Sequence, residues 1–227
     1  MRRVRDSGNG TCAVDGRVNG RVVRGTYAAI LLAVAAVTYN DWLLQFLVPT
    51  GLNQRDSYVS EAFAADQPYR RLFSGVELAS AALVTTGAGL AMSGAQTPWE
   101  GGGWAAVIAF GVFSVADVLL PMDCAPSREP GCPADNIWHT TTSGLVHFAL
   151  FASMAAFIAA ARSAGPRLTL IGRRAQWLLP SSMVAAISSV GPYFGHPGGQ
   201  GVAQRLHLIT VAVWFGLLAA ECEREAR

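Results

Sequence analysis

The sequence predicts an all-α integral membrane protein, a bundle of six transmembrane helices. Three observations predict it. Apolar residues make up 52% of the 227-residue chain and charged residues only 14%. Mean hydropathy is positive, at +0.33. The charges also fall mostly between long apolar runs rather than along one face of each. Runs of about 20 residues are long enough to cross a hydrocarbon layer roughly 30 Å thick. Lipid cannot satisfy open backbone groups, and these runs are too long for barrel strands, so the spans must be helices.

In chain order, residues 1–25 are polar and Arg-rich and read as a disordered cytoplasmic tail. The first apolar run continues to Val48 without a small-residue cleavage pattern, so it reads as an uncleaved span rather than a signal peptide. The six spans are expected at about 26–48, 70–94, 103–121, 138–161, 175–192 and 203–221, a transmembrane domain over 26–221 followed by a short tail, 222–227. Small residues within them, as in Ala79-Ser80-Ala81-Ala82, let helix backbones approach closely. The fifth span is the weakest, with Ser181, Ser182, Ser188 and Ser189 and a start close to Pro180. Before the second span, Asp66 suits an N-cap and Pro68 a first helical turn.

Orientation follows from the arginines. All 17 basic residues are Arg, a bias that fits a GC-rich, bacterial coding sequence. With the N-terminus inside, twelve lie in cytoplasmic segments and five (Arg55, Arg70, Arg71, Arg128 and Arg205) on the outer side. Both termini are therefore expected in the cytoplasm of a cell whose membrane the chain crosses. The third loop then faces an oxidising exterior, and its Cys124 and Cys132 are expected to form a disulfide. Cys12 and Cys222 are expected to be free thiols. A net charge of +2, with no basic run interleaved with aromatics, excludes a nucleic-acid partner.

Ionisable groups at membrane depth are costly and mark candidate sites. At 1.5 Å per residue, Asp41 lies roughly 10 Å inward from the outer end of its span, Glu77 about 9 Å, Asp117 about 6 Å, His147 about 12 Å and His207 about 6 Å. His139 and Arg205 sit nearer the rim. One layer of the outer half thus holds ionisable side chains from five helices, which would line a polar cavity open to the exterior. Plainer roles compete for each residue. Asp41 follows Asn40 and could mark an early helix end; Glu77 could pair with Arg70 or Arg71; Asp117 could pair with Arg205. In the first outer loop, Ser60 and Glu61 have no obvious structural task, and Ser60 could be a nucleophile at the cavity mouth.

At these residues a family pattern emerges. The chain resembles the DUF998 family of prokaryotic multi-pass membrane proteins over roughly residues 26–220. Three segments carry the likeness: Tyr58-Val59-Ser60-Glu61 with Pro68-Tyr69-Arg70-Arg71-Leu72-Phe73, Leu119-Leu120-Pro121-Met122-Asp123-Cys124-Ala125-Pro126 with His139, and Gln204-Arg205-Leu206-His207. The resemblance implies architecture more than activity. A looser similarity is to the membrane hydrolase superfamily of alkaline ceramidases and adiponectin receptors, whose members use a Ser, an Asp and three His with zinc. Ser60, Asp117, His139, His147 and His207 supply those residue types here, on six spans rather than seven and without an H-x-x-x-H pair on the last.

Two functions remain open at this stage. In the first, the cavity binds a membrane lipid or small amphiphile through Asp41, Glu61, Glu77 and Arg205. In the second, the protein is a zinc-dependent hydrolase acting at the outer leaflet. His139, His147 and His207 would hold the metal, Asp117 or Asp123 would act as general base, and Ser60 and Arg205 would hold an oxyanion or headgroup. Residues 139 and 147 lie about 80° apart around a helix, so they converge on one ion only with adjustment.

Overall fold

The structure is a computed structural model that describes residues 11–133, 136–163 and 168–227. It contains six long helices: α1 (Thr11–Thr38), α2 (Arg70–Met92), α3 (Pro98–Leu119), α4 (Ile137–Ser163), α5 (Thr169–Ser188) and α6 (Gln200–Ala226). Five segments, 20–46, 70–92, 98–119, 137–163 and 200–226, are long and apolar enough to cross a membrane. The sixth expected span, α5, carries its serines and Arg173-Arg174 and falls short of that apolarity. It nevertheless completes the bundle. Each helix packs against its neighbours in sequence, and α1 packs against α6, so the six close into a ring.

The interior of the ring is aromatic. Tyr39, Phe110 and Phe215 pack edge to face with centroids 5.2–5.8 Å apart. Trp214, fully buried, contacts Phe157 and donates its indole N–H to Ser153 Oγ at 3.0 Å. Between α2 and α3, Gly111 is needed for contact: a Cβ there would lie 2.2 Å from Thr85 Oγ1 and 2.9 Å from the Ala81 carbonyl. Large apolar side chains cover the outside, among them Val37, Phe148, Leu119 and Val184, as expected of a surface solvated by lipid tails.

Several boundaries differ from expectation. α1 begins at Thr11, so the expected tail is helical from that residue; residues 1–10 and the Cys12 side chain lie outside the described residues. Arg24 bonds back onto the Gly20 carbonyl, and such side-chain contacts let polar turns continue an apolar helix. At its other end α1 stops at Thr38, ten residues short of Val48. There Asn40 Nδ2 donates to the Ala36 carbonyl and Asn40 Oδ1 accepts from the Trp42 indole, competing with the helical ladder. A 3₁₀ helix, Asp41–Phe46, follows. α2 starts at Arg70 with Tyr69 as its N-cap, so Asp66 is not the cap; it accepts from Gln67 Nε2 instead. α3 starts earlier than expected because Thr97 accepts from the Glu100 N–H and Pro98 opens the first turn. α5 runs through Pro180, and α6 continues to Ala226 through most of the expected tail, held by Arg224–Glu221 and Arg227–Glu223 pairs.

The connections after α1, α3 and α5 gather at one end of the ring. The Cys124–Cys132 disulfide closes the second of them, with Cα atoms 6.0 Å apart. Cys222, a free cysteine, is buried near the opposite end, where Arg21, Arg24 and Arg224 line a separate cavity and where both termini of the helical ring lie.

Candidate functional site

The site is built from the loop end of the ring inward. Its roof is the segment between α1 and α2. Arg205, on the first turn and a half of α6, is 6% exposed and reaches up into that segment. Its Nη1 donates to the carbonyls of Gln54 at 2.8 Å, Ser57 at 3.1 Å and Gly201 at 2.9 Å; its Nη2 donates to Gln45 Oε1 at 2.6 Å. Its guanidinium carbon lies 5.9 Å from the Trp42 ring centre, a cation–π contact. Gly201 makes this docking possible, since a Cβ there would lie 2.4 Å from the Ser57 carbonyl. Val59 N donates to Gln204 Oε1 at 2.5 Å and Gly199 N to Asp56 Oδ1 at 2.7 Å, fastening the same segment to α6.

Glu61 fastens it to the disulfide loop. Almost fully buried, it accepts from Tyr58 N at 2.8 Å and from Ser127 N and Oγ at 3.0 and 2.5 Å. Glu61 and Arg205 therefore hold the roof and do not line the cavity below it. This corrects two expectations: Glu61 has a structural task, and Arg205 makes no pair with Asp117. Asp123 is exposed on the disulfide loop and also lies away from the cavity.

Beneath the roof, the remaining candidates converge. Asp41, Glu77, Asp117, His139, His147 and His207 line one cavity of about 70 Å³, together with Ser60, Tyr39, Ser143 and Gln204. Five separate elements bring these six side chains together. Glu77 faces this cavity rather than Arg70 or Arg71. Asp117 Oδ1 accepts from Thr142 Oγ1 at 2.5 Å and Ser143 Oγ at 2.8 Å, and lies 3.2 Å from His139 Nδ1. Asp41 is 5% exposed, and its Oδ2 has no hydrogen-bond partner.

The imidazoles of His147 and His207 stack with centroids 4.5 Å apart and planes 14° from parallel. His147 Nδ1 lies 2.6 Å from the Ser143 carbonyl, which can only accept, so Nδ1 carries the proton and Nε2 is left as an acceptor. His207 Nδ1 meets Ser182 Oγ at 3.0 Å and the Ser182 carbonyl at 3.2 Å. This geometry does not fit the expected zinc set. An imidazole binds a metal through a lone pair in its own plane, and two rings stacked face to face direct theirs along different, nearly parallel planes. Among the described residues, no three His, Cys, Asp or Glu are grouped to hold a metal ion.

A second cavity of about 310 Å³ adjoins the first and shares Ser60, His139, Ser143, His147 and Gln204 with it. It is an apolar cleft between α4 and α5, walled by Gly144, Phe151, Ala186, Ile187 and Val190. Gly144 and Ile187 are exposed, so the cleft opens on the outer surface of the ring. Tyr58 stands at its upper edge, donating its hydroxyl to the Ser189 carbonyl at 2.6 Å. Burial pushes this phenol well above its ordinary range, so it stays a donor.

A family model described as a protein of unknown function, DUF998, matches residues 26–221. The chain belongs to the DUF998 family. No curated protein and no solved structure matches the chain. In this DUF998 protein, the matched region covers every element that builds the roof, the cavity and the cleft.

Sequence reasoning missed Tyr39, Ser143, Gln204 and Ser182 in the site. For two of these a signal existed. Ser143 lies midway between His139 and His147 at four-residue spacing on α4, and Gln204 precedes His207 by three on α6, so each shares its helix face with a candidate. Tyr39 and Ser182 carried no comparable signal.

Proposed function

We propose that this DUF998 protein binds an amphiphile, with the polar head in the Asp/Glu/His cavity and the apolar chain in the cleft between α4 and α5. The observation that carries this reading is the adjacency of the two spaces. A polar chamber with buried acceptors and donors shares five lining residues with an apolar cleft open toward lipid. Such a pairing of a few converging polar groups with an apolar wall suits a molecule that is itself divided in that way.

The side of the membrane belongs to the same proposal. The excess of Arg near the termini and the disulfide in the loop at the cavity end both favour a cavity facing outward and termini in the cytoplasm of a cell membrane.

Gly144 provides the test. Gly144 lines the cleft and a Cβ there meets nothing within 4 Å, so Gly144→Trp is expected to obstruct the cleft with no clash at its Cβ. Native mass spectrometry of the detergent-solubilised protein should find a retained amphiphile of defined mass on the wild type and its loss from Gly144→Trp at unchanged thermal stability. Equal retention on both, or none on either, contradicts the proposal.

One observation favours a second reading, hydrolysis of a lipid or amide bond. The Asp117–His139 pair and the Ser60 hydroxyl line the same cavity, the residue types of a general base and a nucleophile. Turnover of a long-chain ester that disappears in both Ser60→Ala and His139→Gln would support it. Turnover retained in either would exclude it.

A further inference from the structure

The lining of the cavity also speaks to the charge of the head it takes. Three carboxylates, Asp41, Glu77 and Asp117, face the chamber, and no Arg is among its lining residues. The nearest guanidinium deep in the fold, Arg205, is committed to the roof carbonyls and Gln45. Asp117 has its own partners in Thr142, Ser143 and His139. That leaves Asp41 and Glu77 with no Arg in the chamber, where imidazoles are the basic side chains. Asp41 is the sharper case: its side chain is more than nine-tenths buried, lines the chamber, and leaves Oδ2 with no donor.

A buried carboxylate is stable as an ion only beside a cation that also donates hydrogen bonds to it. A positively charged donor meets both needs at once. Tyr39 and Phe63, which also line the chamber, add aromatic surface beside such a cation. Resting on the amphiphile reading above, we propose that the head group is a protonated amine, which donates N–H hydrogen bonds to Asp41 Oδ2 and the Glu77 carboxylate while its alkyl chain lies between α4 and α5.

The proposal separates cleanly from the reading it rests on. Four amphiphiles with the same dodecyl chain serve as probes: dodecylammonium, dodecyltrimethylammonium, dodecyl phosphate and dodecyl maltoside. Each is titrated at pH 7 against the full-length protein in nanodiscs, with binding read by isothermal calorimetry. Dodecylammonium should bind at least tenfold more tightly than the phosphate or the maltoside. Dodecyltrimethylammonium, which carries the charge but no N–H donor, should fall between. In Asp41→Asn the preference for the ammonium over the maltoside should shrink to within about threefold, and Glu77→Gln should do the same more weakly. A thermal unfolding transition like that of the wild type shows that the variants fold.

Equal binding of all four heads, abolished by Gly144→Trp, overturns the amine assignment and leaves the amphiphile site standing. Tighter binding of the phosphate overturns it in the same way. Saturable binding of none of the four overturns both. Suppression of dodecylammonium binding by 100 mM NaCl but not by choline chloride would show that the acceptors take an inorganic cation, and would also overturn the assignment.

Discussion

Asp117 on α3 lies 3.2 Å from His139 on α4, and the same carboxylate oxygen accepts hydroxyls from Thr142 and Ser143 one turn further along. A single side chain thus ties two helices together through three partners inside the membrane-spanning ring. Its removal should be felt as lost stability whatever the cavity binds. Asp117→Ala removes the acceptor of Ser143 Oγ, one of the acceptors of Thr142 Oγ1 and the carboxylate beside His139, and should cost about 1–3 kcal/mol. Asp117→Asn keeps an acceptor oxygen and should cost less. Chemical unfolding of the solubilised protein, followed by tryptophan fluorescence, measures both; an alanine variant as stable as the wild type would remove this pair from the account.

Arg205 is expected to act as the strut of the roof. Arg205→Met deletes the donors to Gln54, Ser57 and Gln45 while keeping much of the side-chain volume. At roughly 1.5 kcal/mol for each bond to a charged group, the loss should reach about 3 kcal/mol or more. Arg205→Lys should recover only part of it, because an ammonium lacks the planar fork that meets several carbonyls together. Hydrogen exchange should show the amides of residues 53–61 opening faster in both variants, with α3 unaffected. Uniformly faster exchange through all the helices would instead point to a global role.

Two glycines should respond in opposite directions. Gly111→Ala drives a methyl against Thr85 and the Ala81 carbonyl, and only the first of these can move aside. It should destabilise by about 1–3 kcal/mol. Gly89, exposed on α2, meets nothing within 4 Å, so Gly89→Ala should stabilise by roughly 0.5–1 kcal/mol through helix propensity. Thermal unfolding midpoints of the two variants should move apart on either side of the wild type.

The disulfide provides a test of both stability and orientation. It closes a short loop, with eight residues of sequence separation, and its loss in Cys124→Ser/Cys132→Ser should cost about 2–3 kcal/mol. After mild reduction of intact cells, a membrane-impermeant maleimide should label Cys124 and Cys132. Labelling that requires permeabilised cells would reverse the orientation.

The fold was legible from the sequence because it rests on long-range composition: apolar runs of membrane length, with charges between them, leave helices as the available solution. Helix ends were less so. Asn40 ends α1 through its own side-chain bonds, and α6 outlasts its apolar run through pairs such as Arg227–Glu223, both local devices that a hydropathy pattern averages away. For the site, depth alone placed Asp41, Glu77, Asp117, His147 and His207 in one layer, with His139 nearer the rim, and these six do line one cavity. Depth does not report the direction of a side chain around its helix. That is why it could not show that Arg205, nearer the rim, and Glu61, in the first loop, turn toward the roof. The stacking of His147 on His207 depends on the crossing of α4 and α6, which no spacing within one helix encodes.

The central claim, an amphiphile seated through the cleft between α4 and α5, is tested most directly by photo-crosslinking. A dodecylamine carrying a diazirine midway along its chain is irradiated with the protein in nanodiscs, and the adducts are mapped by peptide mass spectrometry. The account predicts adducts concentrated at Gly144–Phe151 and Ala186–Val190, competed by unlabelled dodecylamine and absent in Gly144→Trp. Adducts spread over lipid-facing positions such as Ile30, Val37 and Val213, unaffected by competitor, would contradict it.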